Sequence, residues 1–284
     1  MLILMDLKAD FNQLTTNGLL GLGCIPNPSH DAVTRYNLLH THTERMVLPV
    51  PYKIAISTQL VANPQFKALA GVINEITARL KAGTTVAPYL SNLAKLGGQR
   101  DNLLTYWGIH HLHLSSICTL DAKGKVKRAD YLLFVRFYQG VAHLIQIESH
   151  KKDDSFEDVK LLEIADSNWP YLHDVFREVT VDNHDAATIK TLRKKNINHY
   201  LKVNGRVLSP TFGVMANGVS AEALWHFDSQ YIQLDRLESE IRRNYLHYFS
   251  NRSWIAHVAL LGFDAEGYDL CEKFSGQNNK ALRV

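Results

Sequence analysis

The periodicities along the 284 residues predict an α+β fold, an antiparallel β-meander core with flanking helices and N- and C-terminal extensions packed around it. Three patterns carry this expectation. Phe66, Leu69, Val72, Ile73, Ile76 and Leu80 recur at the helical period before Gly83. Between Arg100 and Pro170 the period becomes that of strands, with short turns between apolar runs. Farther on, Asn204-Gly205 stands between strand formers, as a two-residue hairpin requires.

Element by element, the first fifty residues mix turn formers such as NPSHD (27–31) with apolar pieces and lead to a strand-like run from Met46 to Ser57. Pro49 and Pro51 keep that run from the centre of a sheet. Asn63 and Pro64 open the helix that Gly83 ends, and VAPYLSNLAKL (86–96) adds a shorter helical piece. WGIHHLHLS (107–115) reads as a strand and DAKGKVKR (121–128) as a hairpin loop. ADYLLFVRFY (129–138) and VAHLIQIESH (141–150) form a second hairpin across Gln139-Gly140. FEDVKLLEIADSNWP (156–170) is helix-like and closed by Pro170. A helix at about 186–196, the hairpin INHYLKVNGRVLSP (197–210) and a loop marked by Gly213 and Gly218 follow. The chain continues with an interrupted helical pattern from Val219 to Phe249 and a strand, IAHVALLGF (255–263). These breaks suggest an N-terminal α+β region (1–98), a sheet core with a histidine cluster (99–175) and a C-terminal α+β region (176–284), which one domain can hold.

Composition narrows the function. With 46% hydrophobic and 21% charged residues the chain is globular, which excludes disorder and collagen-like order. A net charge of +3 is too small to declare a polyanion partner by itself, so local clusters must carry that argument. Cys24, Cys118 and Cys271 lie far apart, which supports neither a disulfide framework nor a cysteine zinc site and fits a reducing cytoplasm. Asp6 interrupts the short apolar start, so no export signal is expected, and no apolar run reaches the length of a spanning helix. There is no Walker loop, GxSxG elbow, HExxH, GxGxxG or kinase set, and no cofactor is expected.

The fourteen histidines are the main clue. Alternation on a strand puts His111 and His113 on one face with Ile109, and His110 on the other with Leu112 and Leu114. Two such imidazoles can bind a metal or act as acid and base on a phosphodiester, and the same pattern describes a polar, partly solvated sheet face. His150, Lys151 and Lys152 form a second cluster where the third strand ends. Arg136, inside the apolar strand LLFVRFY, must reach solvent, a partner or an anion. Lys190, Arg193, Lys194, Lys195, Lys202 and Arg206 run without an acid between them and interleave with His199 and Tyr200, which suits phosphate contacts and base stacking as well as a solvated helix face. The loop cations Lys123, Lys125, Lys127 and Arg128 carry the same ambiguity.

The run RADYLLFVRFYQGVAHLIQIESHKKDD (128–154), with IHHLHLS before it, resembles the last part of RelE/ParE-type toxins over about residues 100–160. That resemblance implies a metal-independent endoribonuclease whose active site lies on the sheet, with Arg128 as the strand-leading arginine and His150, Lys151 and Lys152 as the terminal basic cluster. The triple-histidine strand departs from the family pattern, which usually has arginine or lysine there, and the chain is longer than such small stand-alone domains.

The expected activity is therefore RNA cleavage by a toxin or phage-defence effector. The ribose 2′-OH attacks, His111 or His113 is the base, His150 the acid, and Arg128, Arg136, Lys151 or Lys152 stabilise the phosphorane. The expected partners are RNA or another nucleic acid and an antitoxin or inhibitory protein. A second reading is a non-catalytic nucleic-acid-binding or scaffold protein using residues 190–206. A third is a metal enzyme using His111, His113 and His150 or Glu148.

Overall fold

The computed structural model describes residues 2–91, 101–114, 130–149, 159–176, 180–182, 184–211, 213–249, 255–264, 267–273 and 280–284. Arg128 and the rest of the loop 121–128, together with His150, Lys151 and Lys152, lie outside the described residues, as does the piece 86–96 beyond Ser91.

The chain begins with strand β1 (Leu2–Leu4), helix α1 (Leu7–Gly21), helix α2 (Ala32–Arg45) and strand β2 (Lys53–Ile56). Helices α3 (Thr58–Val61), α4 (Pro64–Ala68), α5 (Ala70–Ala82) and α6 (Asn102–Trp107) lead into strands β3 (Ile109–Leu114), β4 (Tyr131–Tyr138) and β5 (Val141–Ser149). Then come α7 (Val159–Asn168), β6 (Val175–Phe176), α8 (Ala186–Lys194), β7 (Leu201–Val203) and β8 (Arg206–Leu208). The chain closes with α9 (Ala221–Arg243), α10 (Tyr245–Tyr248), β9 (Ile255–Asp264), β10 (Gly267–Lys273) and β11 (Lys280–Arg283). Helices and mixed sheets together make this an α+β fold.

Local chemistry sets the boundaries. The Asn63 side chain accepts from the Gln65 N–H to start α4, with Pro64 in the first turn where its missing N–H costs nothing. Gly83, at φ 68°, ends α5 in the left-handed conformation. Gln139 and Gly140, at φ 46° and 72°, close the β4–β5 hairpin, and Asn204 and Gly205, at 50° and 78°, close β7–β8. Positive φ at both central positions is what a hairpin turn matched to strand twist requires.

Two compact units result, and neither follows the expected thirds. The first comprises residues 1–40 and 223–284. Its sheet runs β1-β9-β10-β11, and β1 pairs in parallel with β9 through Leu2↔Ile255 to Leu4↔His257. Leu7 and Phe11 of α1 pack with Phe227, Leu234 and Ile241 of α9 and with the inward residues Ala256, Val258 and Leu260 of β9. That shared core joins the two chain ends, so the division into N- and C-terminal regions is corrected.

The second unit, residues 41–222, is built on a sheet of order β2-β5-β4-β3. The expected antiparallel meander β3-β4-β5 is present, and β2 extends it in parallel with β5 as an edge strand. One face packs Leu112, Leu133, Val135 and Leu144 against α5 and the turn at Val86–Leu90. The other packs Ile109, Leu132, Phe134 and Ile145 under α6, α7, α8 and the small sheet β6-β8-β7. A register shift at Phe134/Val135 sends Ile145 to the second face and Ile147 to the first.

Candidate acid–base site on strand β3

The segment expected as one strand from Trp107 is in fact a short helix followed by a strand. Asp101 caps α6 by accepting the Leu104 N–H at 3.2 Å, and Gly108, at φ 64°, ends it. The chain then enters β3, where Ile109 pairs with Arg136, His111 with Phe134 and His113 with Leu132. Paired residues share a face, so His111 and His113 lie on the side covered by α6.

His110 points the other way, against the Phe137 ring at 5.2 Å. Its Nε2 lies 3.0 Å from the Glu44 carbonyl oxygen, which can only accept, so the proton sits on Nε2. Burial, outweighing that bond and the Asp101 charge, pushes its pKa down to about 4. This imidazole is neutral and structural.

On the α6 side, His111 Nδ1 stands 3.3 Å from Asp101 Oδ2, with side-chain exposures of 14% and 16%. Burial alone would raise the Asp101 pKa, but the His111 imidazole and the Leu104 N–H outweigh it and hold the carboxyl below its ordinary value. Arg45, buried at the end of α2, loses basicity through burial and regains part of it from the Asp101 charge. The His113 ring lies 5.8 Å from that of His111, turned by 68°. Together these are an imidazole close to a carboxylate, a second imidazole beside it and a buried cation on which the carboxylate charge acts. Such a set can take up a proton at one ring and release one from the other.

Arg136 shares this face but does not join the pair. It is 5% exposed and its Nη1 donates to the Trp107 carbonyl at 2.6 Å, at the opposite end of α6 from Asp101. Burial lowers its pKa to about 10, so it stays charged. The expectation of Arg136 stabilising a phosphorane beside the histidines is corrected on that geometry. Glu148 stands in register with Leu132, across it from His113. Among the described residues no three His, Cys, Asp or Glu side chains are grouped as a metal site requires.

The basic segment also divides. Lys190, Lys194, Lys195, Tyr200 and Lys202 are exposed. Arg193 is only 2% exposed and lies 5.4 Å from the Tyr106 ring centroid, because with Ile189 it forms the inward side of α8. His199 is buried, and that burial pushes its pKa down to about 4. Arg206 is held by the Asp166 carboxylate and the Pro170 carbonyl. Arg193 and His199 are therefore corrected from nucleic-acid contacts to structural groups, while Arg206 stays partly exposed.

Sequence reasoning missed Asp101 and Arg45. Asp101 was open to discovery as the acid of an Asp-Asn-Leu-Leu helix start, whereas nothing in the sequence ties Arg45 to β3. No protein-family model matches this chain, nor does any curated protein or solved structure. The site must be read on its own geometry. Among the described residues no helix is long and apolar enough to cross a membrane.

Proposed function

We propose that this chain is a metal-independent endoribonuclease of toxin or phage-defence type, acting at the His111–His113 face of β3 in the cytoplasm and restrained by an antitoxin or other inhibitory protein. The observation that carries the proposal is the Asp101–His111 approach with His113 alongside. With Nδ1–H turned to Asp101, the His111 Nε2 lone pair takes the proton of a ribose 2′-OH as that oxygen attacks the adjacent phosphorus. His113 in its protonated form gives a proton to the departing 5′-oxygen, leaving a 2′,3′-cyclic phosphate and a 5′-hydroxyl. Lys190, Lys194, Lys195 and Lys202 supply backbone contacts and Tyr200 a stacking surface. The resemblance of residues 100–160 to RelE/ParE-type toxins supports the same reading.

The test is induced expression of the wild type beside a His111→Ala/His113→Ala variant, following growth and the integrity of total RNA. Growth arrest with fragments ending in cyclic phosphate is expected for the wild type alone. Equal fragmentation by both proteins, with the variant's circular dichroism unchanged, would remove the site.

A further inference from the structure

At the other end of α6, a second buried polar group takes no part in the acid–base site. Trp107 from α6, Arg136 from β4 and His173, which precedes β6, meet there. Arg136 donates to the Trp107 carbonyl, and the indole and the His173 imidazole lie edge to face with centroids 5.9 Å apart. The Arg136 charge acts on His173. Trp107 is fully buried and His173 is 6% exposed.

The polar atoms of this group are left over. Trp107 Nε1 and both ring nitrogens of His173 have no hydrogen-bond partner among the described residues, and Arg136 spends one N–H on the Trp107 carbonyl. Arg136 makes no ion pair among the described residues, and Asp174 and Tyr138 act on it only through space. The neighbouring His143 is already committed, facing the Arg136 carbonyl at 3.3 Å and the Tyr171 hydroxyl at 2.9 Å. Arg206, whose charge also reaches His173, is paired with Asp166. Indole and guanidinium N–H groups donate and cannot accept. The cluster therefore has surplus donors and one buried cation without a direct ion pair.

Buried polar groups in native proteins are nearly always paired, and exceptions point to a water or an ion. Water would satisfy the donors but give Arg136 no direct ion pair, since Asp174 acts on it only through space, whereas an oxyanion does both. We propose that Trp107, Arg136 and His173 form a binding site for a small oxyanion group, a phosphoryl or a carboxylate. Arg136 supplies the charge and further N–H donors, and the indole and imidazole each add one hydrogen bond. Burial first, and then Arg136 and Arg206, push the His173 pKa down to about 3, so at neutral pH it offers one N–H without a charge. The site is independent of the nuclease reading.

The rival account is that Arg136 serves only to satisfy the last carbonyls of α6. Purified full-length protein in a chloride buffer is titrated separately with inorganic phosphate and with acetate, following Tm and tryptophan emission. A saturable rise in Tm is expected with at least one of them, phosphate alone marking a phosphoryl site and acetate alone a carboxylate site. Trp107→Phe deletes the indole N–H while keeping most of the ring, and it should weaken the response roughly ten-fold. Arg136→Gln should weaken it at least as much. If Arg136→Gln does not fold, the wild type and Trp107→Phe decide. No response of the wild type to either anion, or equal binding by Trp107→Phe, would overturn the site. The His111→Ala/His113→Ala variant should bind as the wild type does, which separates this outcome from that of the nuclease test.

Discussion

Asp101 both caps α6 and faces His111, and one substitution separates the two roles. Asparagine caps a helix about as well as aspartate but carries no charge. Asp101→Asn should therefore leave Tm nearly unchanged and lower RNA cleavage at least roughly ten-fold, since the imidazole loses its orienting carboxylate. Unchanged cleavage would show that the pair has no catalytic part. His110 and His173 make a different prediction. Their folded pKa values, about 4 and about 3, lie below the ordinary 6.5. As pH falls below 6.5 the unfolded chain takes up these protons first, so stability should drop between pH 6.5 and about 4. Each histidine contributes a slope of roughly 1.4 kcal/mol per pH unit in that window. Urea midpoints at pH 7, 6 and 5 measure it, and a flat profile would contradict the neutral burial of both rings. At this scale the shared face of His111 and His113 was legible, because strand alternation is a local property. Asp101 was readable only as a helix start, and Arg45, on which its charge acts, is brought near it by tertiary packing alone.

Helix ends show how local signals succeed and fail. Gly83 and Gly108 both end helices at positive φ, but an added Cβ would stand 2.8 Å from Pro51 Cδ at Gly83 and no closer than 3.6 Å to Arg136 at Gly108. Gly108→Ala should cost only the left-handed strain, about 1–2 kcal/mol. Gly83→Ala adds a clash with a rigid ring and backbone, so its denaturation midpoint should fall further. The reverse order would mean that the Pro51 segment yields easily. The Asn63 start, the Gly83 stop and the Asn204-Gly205 turn were readable because each is fixed by the conformational preference of its own residues. Helix α6 was hidden because six residues are too few to display a period, and Trp107 merges into the alternation of β3. In α1 the inward stripe is Leu7, Phe11, Thr15 and Leu19, and its threonine blurs the apolar pattern. Strand β10 reads GYDLCEK, whose charges conceal a strand that buries Leu270, Cys271 and Glu272.

At the level of the whole molecule, hydrophobic periodicity reports which face of an element is buried but not which element buries it. The meander could be read because β3, β4 and β5 are adjacent in sequence and pair in order. The joining of β1 to β9 could not, since three residues of strand carry no statement of their partner.

That long-range pairing bears on synthesis. Strand β1 and helix α1 leave the ribosome well before β9, which is made roughly 250 residues later, an interval of about 12–50 s at about 5–20 residues per second. Residues 41–222, with the histidine face, contain their own sheet and can fold within it. Released chains that end near residue 250 should therefore resist protease over residues 41–222 while α1 is still cut. Protection of α1 at that length would mean that it finds its place without β9. Until then the apolar side of α1 stays open to chaperones, and the unit bearing the proposed chemistry is complete before translation ends.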